Sequence, residues 1–383
     1  MHASSVAEAR RTLVDDRRAL EEASRLLGEA RELAVDLETD AMHVFRARLC
    51  FLQLAAGDRI LVLDTLAEGV RANALAGPFG DPSVRKVFHD AQGDLRFLAR
   101  EGVVVRGLFD TQRAATLLGL PRVGLGDLVE ERFGVRLAKE HQTANFGLRP
   151  VPEDLLAYAE NDVRYLLPLA EQLESELRAK DIWEEFELEC ERIAAESREP
   201  EPLPRPKLPG GARDALGRAI AEMVDRIRYE EAERLDLPVG RVLSNATVGE
   251  IALRKPTTLA QLSRIPGMKG SFLRAAGARV VEAVAALREQ AKKGLLPEPP
   301  PLFRPDAGRR KREQKLKAWR NEAAAKRGVT PMVVLPVPVL ERIASEPPTD
   351  LDQLARIPWL GEKRLRLYGE AILSVLRDEP SLD

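Results

Sequence analysis

Asp36 and Glu38 are two acidic residues near the end of the segment LAVDLETD, whose apolar start is predicted to be a strand. Side chains two positions apart on a strand point to the same face, so the two carboxylates project together. Neighbouring carboxylates repel each other unless a cation lies between them. The pair therefore indicates a cation site, and the alternative is a strand end that runs into a polar turn.

Two later segments contain residues that could belong to the same site. In FHDAQGDL, Asp94 follows a predicted strand at residues 84–88 and opens a predicted helix, where capping of that helix is its alternative role. In YAENDVRYL, Tyr158 and Asp162 are four residues apart on a predicted helix, so they share one face. A solvated polar pair explains the last segment equally well when it is taken alone. The three segments support a functional site only when they are considered together.

The elements that must position these residues mix helix and strand patterns. The predicted elements are helices at residues 10–32 and 94–101, strands at 33–37, 49–54, 60–63, 84–88 and 103–105, and mostly helices from 111 to 195. The turn signal at residues 55–58 joins the strands at 49–54 and 60–63 into a predicted hairpin. Early strands, followed by strands that alternate with helices, predict an α/β sheet covered by helices.

Two proline-rich segments divide the chain, because proline disrupts the interiors of helices and strands. Residues 197–211 and 295–305 are predicted linkers, which leaves a first domain at 1–196 and two all-helical domains at 212–294 and 306–383. Residues 254–284 and 345–375 both contain a proline start, a Gln-Leu pair, the sequence Arg-Ile-Pro and a glycine-led turn. This internal similarity indicates that the second and third domains are copies of one unit.

Composition limits the cofactors and partners. With two cysteines and four histidines, neither a thiolate zinc site nor a histidine-rich centre is expected, so carboxylates must hold any metal. The 59 Lys and Arg residues balance 61 Asp and Glu residues to a net charge of −2, which argues against nucleic acid unless the basic residues are clustered. No apolar run has the length of a membrane span, and the N-terminal residues lack a signal peptide's apolar core. A cytoplasmic protein without a membrane partner is expected.

The three acidic segments together resemble the motifs of the DEDD exonucleases, and the tyrosine is typical of the DEDDy branch. The segments RLCFLQLA, KVFHDAQGDLRFL and LLAYAENDVRYLLPL are similar to ribonuclease D. The two C-terminal copies resemble HRDC domains, the helical modules shared by ribonuclease D and RecQ-type helicases. The resemblance covers nearly the whole chain. It implies a ribonuclease H-like α/β exonuclease domain, with a mixed sheet flanked by helices, followed by two all-α HRDC domains.

The resemblance also implies a metal-dependent 3′–5′ exoribonuclease. Family analogy assigns two divalent cations, Mg²⁺ or Mn²⁺, to four carboxylates, and it assigns orientation of the attacking water to a tyrosine. The residues that match these roles are Asp36, Glu38, Asp94 and Asp162 for the metals and Tyr158 for the water.

The implied substrate is RNA with a free 3′ end, with tRNA precursors and other structured RNAs as targets and nucleoside 5′-monophosphates as products. No nucleotide cofactor is expected, because the Gly124-x-Gly126 pair lacks the strand-to-helix context of a dinucleotide site. Two alternatives stay open. One is a DNA exonuclease of the same superfamily, and the other is an RNA-binding adaptor without catalytic activity.

Candidate RNA contacts lie close to the second and third motifs. His89, five residues before Asp94, is expected either to assist near the site or to pack against the sheet. Before the third motif, a loop cation is a candidate for phosphate contact, and Phe146, where many relatives have Trp, is expected to pack. The candidates in this loop are Lys139, Gln142 and Arg149. Three further acids near strand ends, Asp40, Asp90 and Asp110, are assigned no role.

A second group of candidate contacts follows the second linker. Residues 304–327 combine ten Lys and Arg residues with three acidic residues. This pattern predicts a basic amphipathic helix that contacts phosphates and stacks an aromatic ring on bases, with a solvated helix face as the alternative. The candidate residues are Arg310, Lys311, Lys315 and Trp319.

Overall fold

The computed structural model describes residues 10–137, 143–197, 208–297 and 307–377. Six strands form one sheet in the order β1-β4-β3-β2-β5-β6. Their bounds are β1 Arg10–Val14, β2 Glu32–Thr39, β3 Leu49–Ala56, β4 Arg59–Asp64, β5 Arg85–Phe88 and β6 Leu108–Asp110. β1 pairs with β4, β2 with β5 and β5 with β6 in parallel, whereas β3 and β4 are antiparallel. The predicted hairpin is confirmed, and the sheet is mixed.

Helices cover both faces of this sheet. In chain order they are α1 Arg17–Gly28, α2 Ala76–Gly80, α3 Gln92–Arg100, α4 Thr111–Leu118, α5 Leu125–Phe133, α6 Glu153–Arg164, α7 Leu166–Ala179 and α8 Trp183–Glu196. One apolar core, which includes Val62 and Val163, lies between the sheet and α4 to α8. A second core, which includes Leu27 and Leu63, lies on the opposite face. The predicted fold class of a mixed sheet flanked by helices is confirmed.

Two predicted elements are wrong. Residues 10–14 form a strand rather than the start of a helix, because they pair in parallel with β4 at the edge of the sheet. Helix α1 begins only at Arg17, where the Asp16 carboxylate accepts a hydrogen bond from the Ala19 N–H at 2.7 Å. Residues 103–105 are not a strand, since the Val103 N–H donates to the Leu98 carbonyl and closes the end of α3.

The two C-terminal domains repeat one order of helices: long, short, medium, short and long. The first contains α9 Ala215–Leu235, α10 Val239–Val242, α11 Asn245–Arg254, α12 Leu259–Ser263 and α13 Gly270–Lys292. The second contains α14 Ala307–Arg327, α15 Pro331–Val334, α16 Val337–Ser345, α17 Leu351–Ala355 and α18 Glu362–Arg377. Equivalent side chains cap the fourth helix: Thr258 accepts from the Gln261 N–H, and Asp350 accepts from the Gln353 N–H. Of the helices that the structure describes, none is long and apolar enough to cross a membrane.

The described residues group into two compact units, and neither is a single sequence domain. The first unit contains residues 10–38, 49–197 and 307–377, so it includes the sheet and the last helical domain. Within it, Thr330 Oγ1 donates to the Leu117 carbonyl at 3.3 Å, and Val333 is buried in the core on the α4–α8 face of the sheet.

The second unit contains the loop at residues 39–48 and residues 208–297. Within it, the Phe45 ring lies edge-on to Tyr229 at 6.3 Å, and the Phe45 N–H donates to Asp236 at 3.1 Å. The loop that follows β2 is therefore packed with the first helical domain.

Candidate active site

Strand β2 brings Asp36 and Glu38 to one face of the sheet. Leu33, Val35 and Leu37 are buried in the core on the α1–α3 face, whereas Ala34 belongs to the core on the opposite face. By the alternation of a strand, Asp36 and Glu38 lie on the same face as Ala34, beneath the helices α4 to α8. The expectation that the two carboxylates project together is confirmed.

Helices α3 and α6 supply the other three residues. Asp94 lies in the first turn of α3, whose N-cap is Ala91, so the alternative role of Asp94 as the cap is wrong. Helix α6 packs on β3 and β4. On this helix the Tyr158 hydroxyl donates a hydrogen bond to the Asp162 carboxylate, as the four-residue spacing allows.

The carboxylates of Asp36, Glu38 and Asp162 converge. One oxygen from each lies within 4.8 Å of the others, which is a donor set suited to a hard divalent cation. Asp94 is not part of this trio, but its charge raises the pKa of Glu38, so it lies close enough to repel that carboxylate. A crevice of about 410 Å³ opens over the trio and is also lined by Tyr158, His89 and Asp90.

Burial makes these acids hard to ionise together. It raises the pKa of Asp36 to about 7. Burial and then the charge of Asp36 raise the pKa of Asp162 to about 8, and burial with repulsion from three acids raises that of Glu38 to about 10. The pKa of Asp94 is also raised well above its ordinary value, chiefly by burial. Cations bound among these groups would offset the repulsion, so the residues present fit a divalent metal site.

Tyr158 is held as a neutral phenol by its surroundings. Burial, followed by the negative charges of Asp162, Glu38 and Asp36, raises its pKa. Its ring packs against Phe146, with 6.2 Å between ring centroids, and Phe146 is 2% exposed. The expected packing role of Phe146 is confirmed. A neutral phenol in this position can donate a hydrogen bond but cannot serve as a base.

His89 lies on the wall of the crevice. Its Nδ1 is 2.9 Å from Thr111 Oγ1, and the residue lines the same crevice as the carboxylate trio. Burial lowers the pKa of the imidazole, although Asp110 and Asp90 act in the opposite direction. The structure therefore places His89 beside the site.

Arg149 is fully engaged in holding its own loop. Its Nε donates to Asp64 at 2.7 Å and one terminal nitrogen donates to the same carboxylate at 2.5 Å. The other terminal nitrogen donates to the carbonyls of Phe146 and Leu148, at 2.8 and 2.6 Å. The expected phosphate contact of Arg149 is therefore corrected to a structural role. Lys139 and Gln142 lie outside the described residues.

The predicted basic helix is present, and its Trp319 packs within its own domain. The predicted helix corresponds to α14, on which Arg310 and Lys311 are exposed and Lys315 is half-buried. The Trp319 ring lies edge-on to Tyr368, with 5.8 Å between ring centroids, and packs on the core of its domain. The stacking of Trp319 on bases stays a prediction for a ring that is partly buried in its own domain.

Two of the acids without an assigned role are structural. The Asp110 carboxylate accepts hydrogen bonds from the backbone N–H groups of Asp90, Ala91 and Arg113, at 2.9 to 3.2 Å. It thereby fixes the turn that precedes α3. The Asp40 carboxylate accepts from the Arg48 backbone N–H and Nε, both at 2.7 Å, and closes the base of the 39–48 loop. Their positions at strand ends were the only sequence signal.

Comparison with known proteins shows which family the chain belongs to. Residues 12–178 match the family model described as 3′-5′ exonuclease, and residues 218–284 and 309–376 match the HRDC domain model. Ribonuclease D of Acidiphilium cryptum is 30% identical over 356 residues, which cover 90% of each chain. Ribonuclease D of Gluconacetobacter diazotrophicus is 31% identical over 364 residues, covering 90% of this chain and 87% of the relative. The chain belongs to the ribonuclease D family.

Membership of the ribonuclease D family makes the chain a 3′–5′ exoribonuclease of the DEDD superfamily, as the motifs predicted. DEDD exonucleases generally use divalent metal ions, in agreement with the converging carboxylates. The crystal structure of Escherichia coli RNase D superposes with a TM-score of 0.71 at 23% identity and covers 97% of this chain and 100% of its own. That likeness shows the shared fold, including both HRDC domains.

Proposed function

We propose that Asp36, Glu38, Asp94 and Asp162 hold two divalent cations, Mg²⁺ or Mn²⁺, and that the enzyme trims the 3′ ends of tRNA precursors and other structured RNAs. The observation that carries the metal site is the convergence of three carboxylate oxygens within 4.8 Å of one another. Raised pKa values at all four acids support it, because only bound cations would let such buried groups ionise together.

In this proposal, residues of the chain position the cations and the attacking water. Divalent cations in this cluster supply activation of the attacking water and stabilisation of the leaving 3′-oxygen. Asp36 and Glu38 fix the position of the cluster, because β2 has neighbours on both sides in the sheet. Tyr158 stays protonated and donates its one proton to Asp162, so it orients the water through the lone pairs of its hydroxyl oxygen and does not remove the water's proton. The product is a nucleoside 5′-monophosphate.

The metal assignment is tested with Asp36→Asn, which removes a charge while keeping the size of the side chain. We expect loss of degradation of a 5′-labelled RNA across a Mn²⁺ titration, with RNA binding retained. The matched control is Asp58→Asn, the same change at a carboxylate that is 80% exposed in the hairpin turn. Degradation by Asp36→Asn at the control's rate would contradict the metal site.

The substrate assignment is tested with a tRNA precursor that has a short 3′ trailer and with an unstructured RNA of equal length. We expect removal of the trailer and a stop near the acceptor stem. Degradation of the unstructured RNA alone would contradict the tRNA assignment. An all-deoxy copy of the unstructured RNA tests the alternative of a DNA exonuclease, which requires equal decay of both strands. We also assign the enzyme to the cytoplasm, where such RNAs are processed.

The exposed basic residues of α14 are proposed to contact the RNA backbone. Removing one phosphate-binding side chain reduces the dependence of log affinity on log salt by about one unit. The variant Arg310→Gln/Lys311→Gln is expected to show a shallower salt slope than Arg17→Gln/Arg18→Gln, which changes two exposed arginines of α1. Equal slopes for the two variants would contradict this RNA contact.

A further inference from the structure

His89 occupies a position that the metal site does not explain. It directly follows β5 and lines the crevice together with Asp36, Glu38, Tyr158 and Asp162. The carboxylate trio does not include it. His89 is therefore in a position to contact a molecule bound in the crevice. Which chemical group it can contact depends on which ring nitrogen carries the proton.

The hydrogen bonds around Thr111 fix the tautomer of His89. Thr111 Oγ1 lies 3.0 Å from the Phe88 carbonyl oxygen, which can only accept, so the hydroxyl proton points to that carbonyl. The same hydroxyl oxygen must then accept from His89 Nδ1, at 2.9 Å. Nδ1 carries the proton, and in the neutral ring Nε2 is left as an acceptor. Burial lowers the pKa of this imidazole and so favours the neutral ring.

The backbone around His89 is held in place by the adjacent strand. The Asp110 carboxylate accepts from the N–H groups of Asp90, at 3.2 Å, and Ala91, at 2.9 Å. Asp90 has a φ of 61°, a left-handed conformation that non-glycine residues rarely adopt. These bonds maintain a strained turn directly after His89. A side chain fixed in this way offers its Nε2 acceptor without first losing conformational freedom.

The chemistry of the acceptor selects among the groups of a terminal nucleotide. An ionised phosphate has no proton to donate, so it cannot bond to Nε2. Amino groups differ among the four bases, whereas the ribose hydroxyls are common to all RNA nucleotides. We propose that His89 Nε2 accepts a hydrogen bond from a hydroxyl of the 3′-terminal ribose and so helps the enzyme to recognise its substrate. This proposal rests on the proposed function, in which the crevice holds that nucleotide.

The test compares two variants, each of which replaces the hydrogen-bonding role of a different ring nitrogen. His89→Asn keeps a donor near the Nδ1 position, next to Thr111, but has no acceptor at the Nε2 position. His89→Gln places an amide oxygen close to the Nε2 position. The substrates are three copies of one RNA that end in a ribonucleotide, a 2′-deoxynucleotide or a 3′-deoxynucleotide. The scissile phosphodiester is intact in all three, so each remains cleavable.

We expect the wild type to lose about tenfold in kcat/KM on one of the two deoxy ends, which is the effect of one hydrogen bond. His89→Asn should lose that preference, and His89→Gln should keep most of it. The deoxy end that the wild type disfavours identifies the hydroxyl. If His89→Asn slows all three substrates equally and keeps the wild-type ratios, the ribose contact is overturned.

A second measurement does not depend on activity. In the ¹⁵N NMR spectrum of the full-length protein, the His89 ring should show the Nδ1-protonated tautomer near neutral pH, and Thr111→Val should abolish that preference. An Nε2-protonated ring in the wild type would also overturn the proposal. Failure of the proposed function would appear separately, as degradation that survives Asp36→Asn.

Discussion

At the scale of single residues, the acids proposed to bind metal are expected to make the metal-free protein sensitive to pH. Burial raises the pKa of Asp36 from 3.8 to about 7 and that of Asp162 from 3.8 to about 8. In the unfolded chain these groups ionise near pH 4, so the folded state binds more protons between pH 4 and 8. The stability that the protonated groups contribute is fully present below pH 4 and is lost as the pH rises through the folded-state values.

The first prediction follows from this loss of stability with rising pH. Between pH 5 and 8, in chelator, the unfolding temperature of the wild type should fall more steeply than that of Asp36→Asn, which has one titrating group fewer. Saturating Mn²⁺ should reverse the fall in the wild type, because the cation binds the ionised carboxylates. Thermal scans at several pH values measure both effects. Parallel curves for the two proteins would show that Asp36 does not titrate in this range.

The residues proposed to form the active site could be predicted from the sequence because locally spaced acids recur in three motifs that are recognised together. Asp36 and Glu38 are two apart on a strand, and Tyr158 and Asp162 are four apart on a helix. The partner of Arg149 could not be predicted, because Asp64 is 85 residues away and no short-range pattern joins them. The tautomer of His89 depends in the same way on Thr111, on a different strand-to-helix junction.

At the scale of elements, the loop before α6 supports Tyr158. Arg149 holds this loop to the end of β4 by its bidentate pair with Asp64, and its guanidinium lies 4.9 Å from the centroid of the Phe51 ring. Phe51 packs edge-on to Phe146, at 6.1 Å, and Phe146 packs on Tyr158. The loop therefore connects the hairpin β3–β4 to the position of the phenol.

The second prediction concerns this connection. Arg149→Met should lower kcat more than it changes KM, because Tyr158 loses the fixed support of Phe146. It should also destabilise the protein by about 1–3 kcal/mol, since the Asp64 carboxylate, which is 7% exposed beside Arg149, would lose its cationic partner. Steady-state kinetics at a temperature where both proteins are folded, together with urea unfolding, separate the two effects. Arg59→Met, at a half-exposed arginine of the same hairpin, is the control and should change neither.

Elements were predicted best where local pattern and tertiary pairing agree. The hairpin β3–β4 has a turn signal between two apolar runs, and it forms. Residues 10–14 continue a helical pattern, yet they pair with β4, a partner that is distant in sequence. Pairing along the open edge of a sheet can override a weak local preference. Only the three-dimensional sheet reveals that edge.

At the scale of the whole molecule, the last HRDC domain shares a hydrophobic core with the nuclease domain. Val333 is fully buried among the nuclease residues on the α4–α8 face of the sheet. Glu185, which is 1% exposed at its side chain, forms ion pairs with Lys363 at 3.1 Å and Arg327 at 3.0 Å. The proline-rich linkers predicted only where the domains begin and end, and the sequence alone could not show this docking.

The third prediction is that disturbing this contact destabilises the nuclease. Val333→Asp should lower the unfolding free energy by about 3 kcal/mol or more, because it buries a charge in an apolar core. Val337→Asp, four residues later and 44% exposed, should be close to neutral. Hydrogen exchange of the nuclease helices provides the readout. Protection of α4 and α8 that is unchanged in Val333→Asp would mean that the two domains are stable independently.

The fourth prediction concerns the buried charges of the same contact. Lys363→Met should be more harmful than Lys363→Met combined with Glu185→Gln, because the single change leaves the carboxylate with one of its two cationic partners. Urea unfolding of the single and double variants measures this coupling. Additive effects would show that the pair contributes little to the docking.

The glycine-led turn that the two HRDC copies share packs against different neighbours in the two copies. Gly267 and Gly361 have φ values of 78° and 80°, so both copies keep the left-handed turn that glycine permits. In the first copy, the space beside the glycine is bounded by Thr247 of its own domain, and in the second by Leu188 of the nuclease. The second turn thus packs against a neighbour that the first turn lacks. The copies are therefore no longer interchangeable, and a chain with its HRDC domains exchanged should fail to assemble although every turn in it is native.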